Sequence, residues 1–449
     1  MKDSRDAIDF AKDPVKDVFR KMFFPTLIGM LSMVVLNITD GAFVGHGVGS
    51  DGLAAVNIVA PLFLIASGVG LLFGIGASVV ASIHLSKGNI HAANLNITQG
   101  VIASYVVGGI IGLLVFFFQE ETCKMFGCSD ALVPLACSYI RWIALMTPFN
   151  MVGMTGMFAV RLDGHPRFAM VMNCSMAFAN IVLDWVLIYP CHMGLEGAAI
   201  ATCTAFGFGN IPLLWFLFTQ TRTVHLCRIK LTRTSLALTV RNLLYQMKIG
   251  ASGFIGEAAI ACIMIVGNYV FIHWLGEDGV AAYSVGCYCL PIVFMLGNAI
   301  VQSIQPVISF AYGQNNMVRL RETRRVAITA SLICGIIGLA VIGLGTDIIT
   351  SVFLPSGCGA YVICSEGLPF FSFAFLFIAI NIVIIGYLQS IEAVKRATIY
   401  TILRGFVFSI TAFIFLPMLV GKDGLWLALP VAEALTLLVI FVEYLVMKK

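Results

Sequence analysis

Phe178-Ala-Asn-Ile-Val-Leu-Asp-Trp-Val-Leu-Ile-Tyr189 lies inside an apolar run long enough to cross a bilayer, yet it carries Asn180 and Asp184. These two are four residues apart, so on a helix they share one face, one turn above the other. An ionised carboxylate at membrane depth costs about 2.5–3.5 kcal/mol on insertion scales. Such a residue turns to the protein interior and marks an ion or proton path. Asp184 is therefore the first candidate for a cation-binding group.

The rest of the chain has the composition this reading needs. Of 449 residues, 59% are hydrophobic and only 11% charged, where a soluble domain carries about 25%. Mean hydropathy is +0.97. Apolar runs of about 20 residues recur along the whole length, the pattern of an all-α, multi-pass membrane protein. A net charge of +4 implies no nucleic-acid partner. The thirteen cysteines show neither zinc spacing nor a thioredoxin-type motif. Most fall in apolar runs as small packing residues, while Cys123 and Cys128 share one outer loop and are candidates to pair in an oxidising compartment.

Twelve spans are expected, six in each of two bundles. The divisions are a cytoplasmic segment at 1–20, a first lobe at 21–220, a linker at 221–247 and a second lobe at 248–449. Residues 1–20 alternate basic and acidic side chains, as in a solvated or interfacial helix, with no secretory leader pattern. Every Lys and Arg except Lys124, Arg141 and Lys422 falls in the N-terminal segment, the linker, the C-terminal end or alternate loops. The positive-inside rule then puts both termini in the cytoplasm of a cell (inner) membrane protein.

The chain also repeats itself at an offset of 227 residues. Gly49-Ser-Asp51-Gly52-Leu-Ala54-Ala55 meets Gly276-Glu-Asp278-Gly279-Val-Ala281-Ala282. The same offset sets Lys21, Ile28 and Gly29 on Lys248, Ile255 and Gly256, and Gly194, Gly197 and Ala201 on Gly421, Gly424 and Ala428. Six helices plus six, each half starting inside, make parallel repeats about an axis along the membrane normal, with a central cleft between the lobes.

Helix depth, at 1.5 Å per residue, gathers a polar set in the outer half of the first lobe. Asp40 lies near the outer end of span one, Asp184 near that of span five and Thr202 near that of span six. Asn37 and Asn180 sit one turn below their acids, and Asn57 on span two is at a similar level. Two carboxylates, an amide and a hydroxyl suit a hard cation such as Na⁺, and close carboxylates in a low dielectric equally hold a proton between them. Glu257 enters span seven from the cytoplasmic side and cannot share this site. With Asn298, Gln302 and Gln305 of span eight, it is a candidate lining for a cargo cleft. Among the prolines inside spans, Pro25 stands out because it bends the helix that carries Asp40. Gly70-Leu-Leu-Phe-Gly74 reads as close helix packing.

Taken together, Pro25 with Asp40, Gly52-Leu-Ala-Ala with Pro61, Arg161-Leu-Asp-Gly164-His-Pro-Arg167, Asn180 with Asp184, and Gln302-Ser-Ile-Gln-Pro306 with Ala311-Tyr-Gly313 resemble the multidrug and toxic compound extrusion (MATE) family. The resemblance covers nearly the whole chain. It implies a V-shaped pair of six-helix bundles that exports organic cations or other amphipathic compounds in exchange for H⁺ or Na⁺. In the branch with a first-lobe cation site, the ion is held by residues that map onto Asp40, Asn180, Asp184 and Thr202, and the first helix bends at Pro25. The other branch uses acids of helices seven and ten. Span ten here has no acid between Leu368 and Ser390, so coupling is assigned to the first lobe. The expectation is a monomeric antiporter without cofactor, acting on cationic or amphipathic cargo within the bilayer. A lipid-linked saccharide flippase of the same superfamily would need basic residues lining the cleft, where Arg141 is the lone candidate. A membrane transferase would need a metal motif or nucleophile set, and neither occurs.

Overall fold

The computed structural model describes residues 8–229, 232–355 and 357–448. Residues 1–7 of the expected N-terminal segment, 230–231 of the expected linker and Lys449 lie outside them. The described residues form helices α1 (Val15–Gly47), α2 (Ser50–Ser86), α3 (Ile90–Phe117), α4 (Gln119–Met125), α5 (Val133–Leu162), α6 (Pro166–Ile188) and α7 (Gly194–Thr219). After these come α8 (Arg233–Gly313), α9 (Met317–Leu344), α10 (Thr346–Phe353), α11 (Gly359–Ser390), α12 (Val394–Ile402), a π-helical turn at Leu403–Val407, α13 (Phe408–Val420) and α14 (Lys422–Lys448). No strand occurs among the described residues.

Eleven described helical stretches are long and apolar enough to cross a membrane. One of them, α8, runs for 81 residues but leaves helical geometry at Gly276, so it is two helices joined at a break. The expected count of twelve rests on that break. Gly276 has φ +66° and its repeat partner Gly49 has φ +99°; Gly194 and Gly421, the other matched pair, have φ +58° and +74°. An L side chain is strained at such angles, so the repeat seen in the sequence is a repeat of backbone turns.

The chain divides into two compact units, Met1–Phe254 with Ser309–Asn316, and Ile255–Ile308 with Met317–Lys449. In the first, α2 and α3 pack on α5, α1 on α6, and α6 on α7. Small residues set these approaches: Gly70 faces Met154 and Gly74 faces Phe158, the tight packing that membrane helices use where lipid gives no hydrophobic drive. The stretch expected as a linker is helical from Arg233 onward. Its amides explain why it holds to the first unit. Gln246 Nε2 donates to Asn96 O and Oδ1 at 3.1 and 3.0 Å, and Gln99 Nε2 donates to Thr239 Oγ1 at 2.9 Å. A methyl group on Gly76 or Gly250 would collide with the carbonyl of Gln246 or Leu72.

Residues 221–227 carry no helix and are tied down by Asp163, just past α5. Its carboxylate accepts from the amides of Arg222 (2.9 Å), Thr223 (2.8 Å) and Val224 (3.0 Å), and from Thr223 Oγ1 (2.9 Å). Burial opposes the charge on Asp163, but the His165 ring and these amides outweigh it and hold the carboxyl below its ordinary range. A lowered folded-state pKa adds stability that is complete at neutral pH and is lost as pH falls through the folded value, below about 4. Asp163→Ala is expected to cost about 3 kcal/mol at pH 7, the scale of hydrogen bonds to a charged group. Thermal unfolding in detergent checks this, and the gap to wild type should narrow only in strong acid.

The second unit packs α11 against α9 and α14, and α13 against α14. Its core is aromatic: Phe271 stacks on Tyr283 at 4.4 Å, and Trp426 meets Phe271 edge-on at 5.0 Å. Cys123 and Cys128 are both buried and free.

Candidate cation site

α1 and α6 lie side by side, so the acids that each carries near one end meet. Asp40 is seven residues from the end of α1 and Asp184 four from the end of α6, depths of about 6–10 Å. Their carboxyls are close enough to act on each other. Two carboxylates can bond only by sharing a proton. One turn along α6, Asn180 Nδ2 donates to Thr202 Oγ1 of α7 at 3.3 Å.

What these groups lack is as informative as what they make. Asp40 Oδ1, Asn180 Oδ1 and both Asp184 oxygens are buried with no hydrogen-bond donor. Asp184 and Asn180 are 0% exposed and Thr202 4%. Buried acceptors without donors are costly, and here three belong to the acid pair itself and the fourth to Asn180, an arrangement that suits a positive charge. The donor set is all oxygen, which fits H⁺ shared between the acids or a hard cation such as Na⁺.

Tyr139 of α5, 1% exposed, lies close enough to feel the charge of both acids. Sequence reasoning passed over it, because a lone tyrosine in an apolar run carries no depth signal. Beside Thr202, the thiol of Cys203 donates to Trp142 O at 3.2 Å, and Trp142 Nε1 donates to Glu196 at 3.0 Å. Arg141 also pairs with Glu196. That pairing fixes α5 to α7 and neutralises the one basic group a flippase reading would use.

The other candidates differ in burial. Asn37 and Asn57 are exposed and Pro25 is buried within α1. In the second unit, Glu257 is half-buried with no hydrogen bond or ion pair among the described residues. Asn298 is half-buried, whereas Gln302 and Gln305 are buried.

The offset of 227 carries Asp40, Asn180, Asp184 and Thr202 onto Gly267, Val407, Thr411 and Leu429. No acid survives. A side chain on Gly267 would run into the Tyr283 ring, part of the aromatic core. Of the four, Gly267 and Leu429 are buried, whereas Val407 and Thr411 are exposed.

The chain is similar to known proteins over nearly its whole length. The MatE family model matches residues 25–186 and 254–419. A relative described as multidrug export protein MepA, from Staphylococcus aureus (strain MRSA252), is 23% identical over 95% of this chain and 92% of its own length. Among solved structures, an outward-facing multidrug resistance MATE family transporter of the MOP superfamily has a TM-score of 0.88 at 21% identity, covering 96% of this chain and 95% of that one. A MOP superfamily transporter from Pyrococcus furiosus, reported with a binding pocket of reversed polarity, has a TM-score of 0.87 at 21% identity and 96% coverage of both chains.

Proposed function

The chain belongs to the MatE family, and from that premise we propose that it exports amphipathic or cationic small molecules in exchange for H⁺ or Na⁺. The observation that carries the coupling is the acid pair of the first unit, three of whose oxygens are buried with no donor, beside the equally unsatisfied Asn180 Oδ1. The relative described as a multidrug export protein supports the cargo class. The half-buried Glu257 supports a preference for positive charge.

In this reading the protein sits in the cell membrane as a monomer with both termini in the cytoplasm. From the outer side, Asp40 and Asp184 take up the ion, which cancels the repulsion between them and supplies the missing donor. The neutralised pair draws α1 against α6, and the backbone bond missing at Pro25 makes α1 the helix that can repack. Repacking weakens cargo binding, and cargo leaves outward. The ion then leaves inward and cargo loads again. Reciprocity requires cargo to weaken ion binding by the same factor. One charge moving inward down a potential of 100 mV releases about 2.3 kcal/mol, or roughly fiftyfold accumulation.

Everted vesicles loaded with ethidium outside, with a proton or a sodium gradient imposed separately, test the proposal. Uptake is expected to follow one of the two gradients. Uptake indifferent to both would overturn the coupling.

A further inference from the structure

In the first unit, one cluster of apolar side chains closes around residue 224. Ile97 and Val101 of α3, Val160 of α5, Ala169 of α6, and Leu213 and Leu217 of α7 surround Val224, which is 0% exposed. The amides of His225 and Cys227 bond Asn94 and Thr98, each at 3.0 Å. The hole between these helices is thus filled by a stretch of the chain itself.

At the offset of 227 those six positions become Arg324, Ile328, Tyr387, Arg396, Ile440 and Tyr444. All six line a cavity of about 380 Å³ between α9, α11, α12 and α14. The place that is plugged in one half is hollow in the other. Four apolar residues have become two arginines and two tyrosines, and Tyr400 adds a third phenol. Apolar packing alone would have kept Ile, Val, Ala and Leu. Glu443 pairs with Arg396 at 3.0 Å and also contacts Tyr400. Arg324 is half-buried and makes no ion pair among the described residues. A guanidinium beside an apolar hollow is costly without an anion.

The surroundings say which anion. Ile328, Phe441 and Tyr444 are 38%, 55% and 46% exposed on helices long and apolar enough to span, so the hollow opens toward acyl chains. Its charged end lies toward the starts of α9 and α12, the segments that carry Arg319, Arg321, Arg325 and Lys395, a basic side of the kind that meets acidic lipids.

We propose that this cavity binds an acidic phospholipid, its phosphate on Arg324 and the tyrosine hydroxyls and the first part of one acyl chain in the apolar hollow. Only the choice of leaflet rests on the orientation given above; binding itself needs no transport.

The purified full-length protein, stripped of lipid in detergent, is titrated with dioleoylphosphatidylglycerol, dioleoylphosphatidylcholine or inorganic phosphate. Bound lipid is counted by native mass spectrometry, and thermal unfolding is followed in parallel. Phosphatidylglycerol is expected to bind at least about tenfold more tightly than phosphatidylcholine, and Arg324→Gln to remove that preference, the scale of one charge-assisted hydrogen bond. Ile328→Trp fills the hollow and keeps both arginines, so it should also abolish binding. Unchanged phosphatidylglycerol binding in both variants overturns the proposal. So does protection by phosphate alone equal to that by the lipid, which marks a simple anion site. A photo-crosslinking amino acid at position 328 that captures polypeptide instead of lipid would overturn it as well.

Discussion

Cells that produce Asp184→Asn at wild-type levels are expected to lose ion-driven ethidium efflux. The loss should be close to complete, because the substitution removes one of the two charges that attract the ion. At a separation of 4 Å and an effective dielectric of about 20, one such charge is worth about 4 kcal/mol, roughly a thousandfold in ion affinity. Asp40→Asn should act in the same direction. The double variant should be no worse than either single one, since the two carboxyls work as one unit. Thr202→Val removes one oxygen ligand and no charge, and should weaken coupling by a smaller factor. The readout that separates function from folding is thermal stability in detergent. Asp184 is 0% exposed beside another acid, so its neutral amide should leave the melting temperature unchanged or raise it. Undiminished efflux would sink the cation-site assignment, and a collapsed melting temperature would show that the acid is structural.

Much of this site could be read from the sequence because helices are rulers. A spacing of four put Asn180 and Asp184 on one face, and counting from the ends of spans set Asp40 and Thr202 at the same level. The structure brings those four residues to adjacent helices. The same ruler could not say which faces met; Asn37 and Asn57, at similar depth, are exposed. Tyr139 was invisible for the opposite reason: its burial beside the acids depends on how α5 packs, not on its place along the helix. The offset of 227 residues was visible as sequence, and its turns proved to be matched glycines with positive φ. Polar residues misled where membrane proteins hide charge. Arg404, counted among the basic residues of a cytoplasmic loop, is 6% exposed inside the Val394–Val420 span. The basic stretch 221–247 looked like a tether, yet from Arg233 it is a helix with its amides bonded to α3. Charge alone does not distinguish a solvated loop from a helix that finds partners.

Arg404 leads to the second large effect. It sits in the π-helical turn Leu403–Val407, and its Nε and Nη2 donate to Glu433 Oε1 of α14 at 3.0 and 2.7 Å. Asn381 of α11 donates to Glu433 Oε2 at 2.7 Å, and the guanidinium lies 5.1 Å from the Phe294 ring centre. Glu433 is 0% exposed. Breaking a buried pair by removing one partner strands the other charge and costs about 3–5 kcal/mol, whereas replacing both by apolar groups is often neutral. Arg404→Met is therefore expected to destabilise the protein by about that amount, with Glu433→Leu similar, while the double variant should recover most of the loss. Thermal unfolding of the four proteins in detergent forms the double-mutant cycle; additive losses would show that the two residues act separately. The pair also bears on coupling. In the second unit the acid already has a fixed cation, the guanidinium, so no mobile ion is needed there. Arg404→Met leaves Glu433 and Asn381 as oxygen ligands without that partner. The variant should gain more stability than wild type from added Na⁺ or on acidification, beyond what ion binding at Asp40 and Asp184 gives both. If neither ion stabilises it more than wild type, Arg404 is not standing in for a bound cation, and the contrast between a mobile charge in one half and a built-in charge in the other fails.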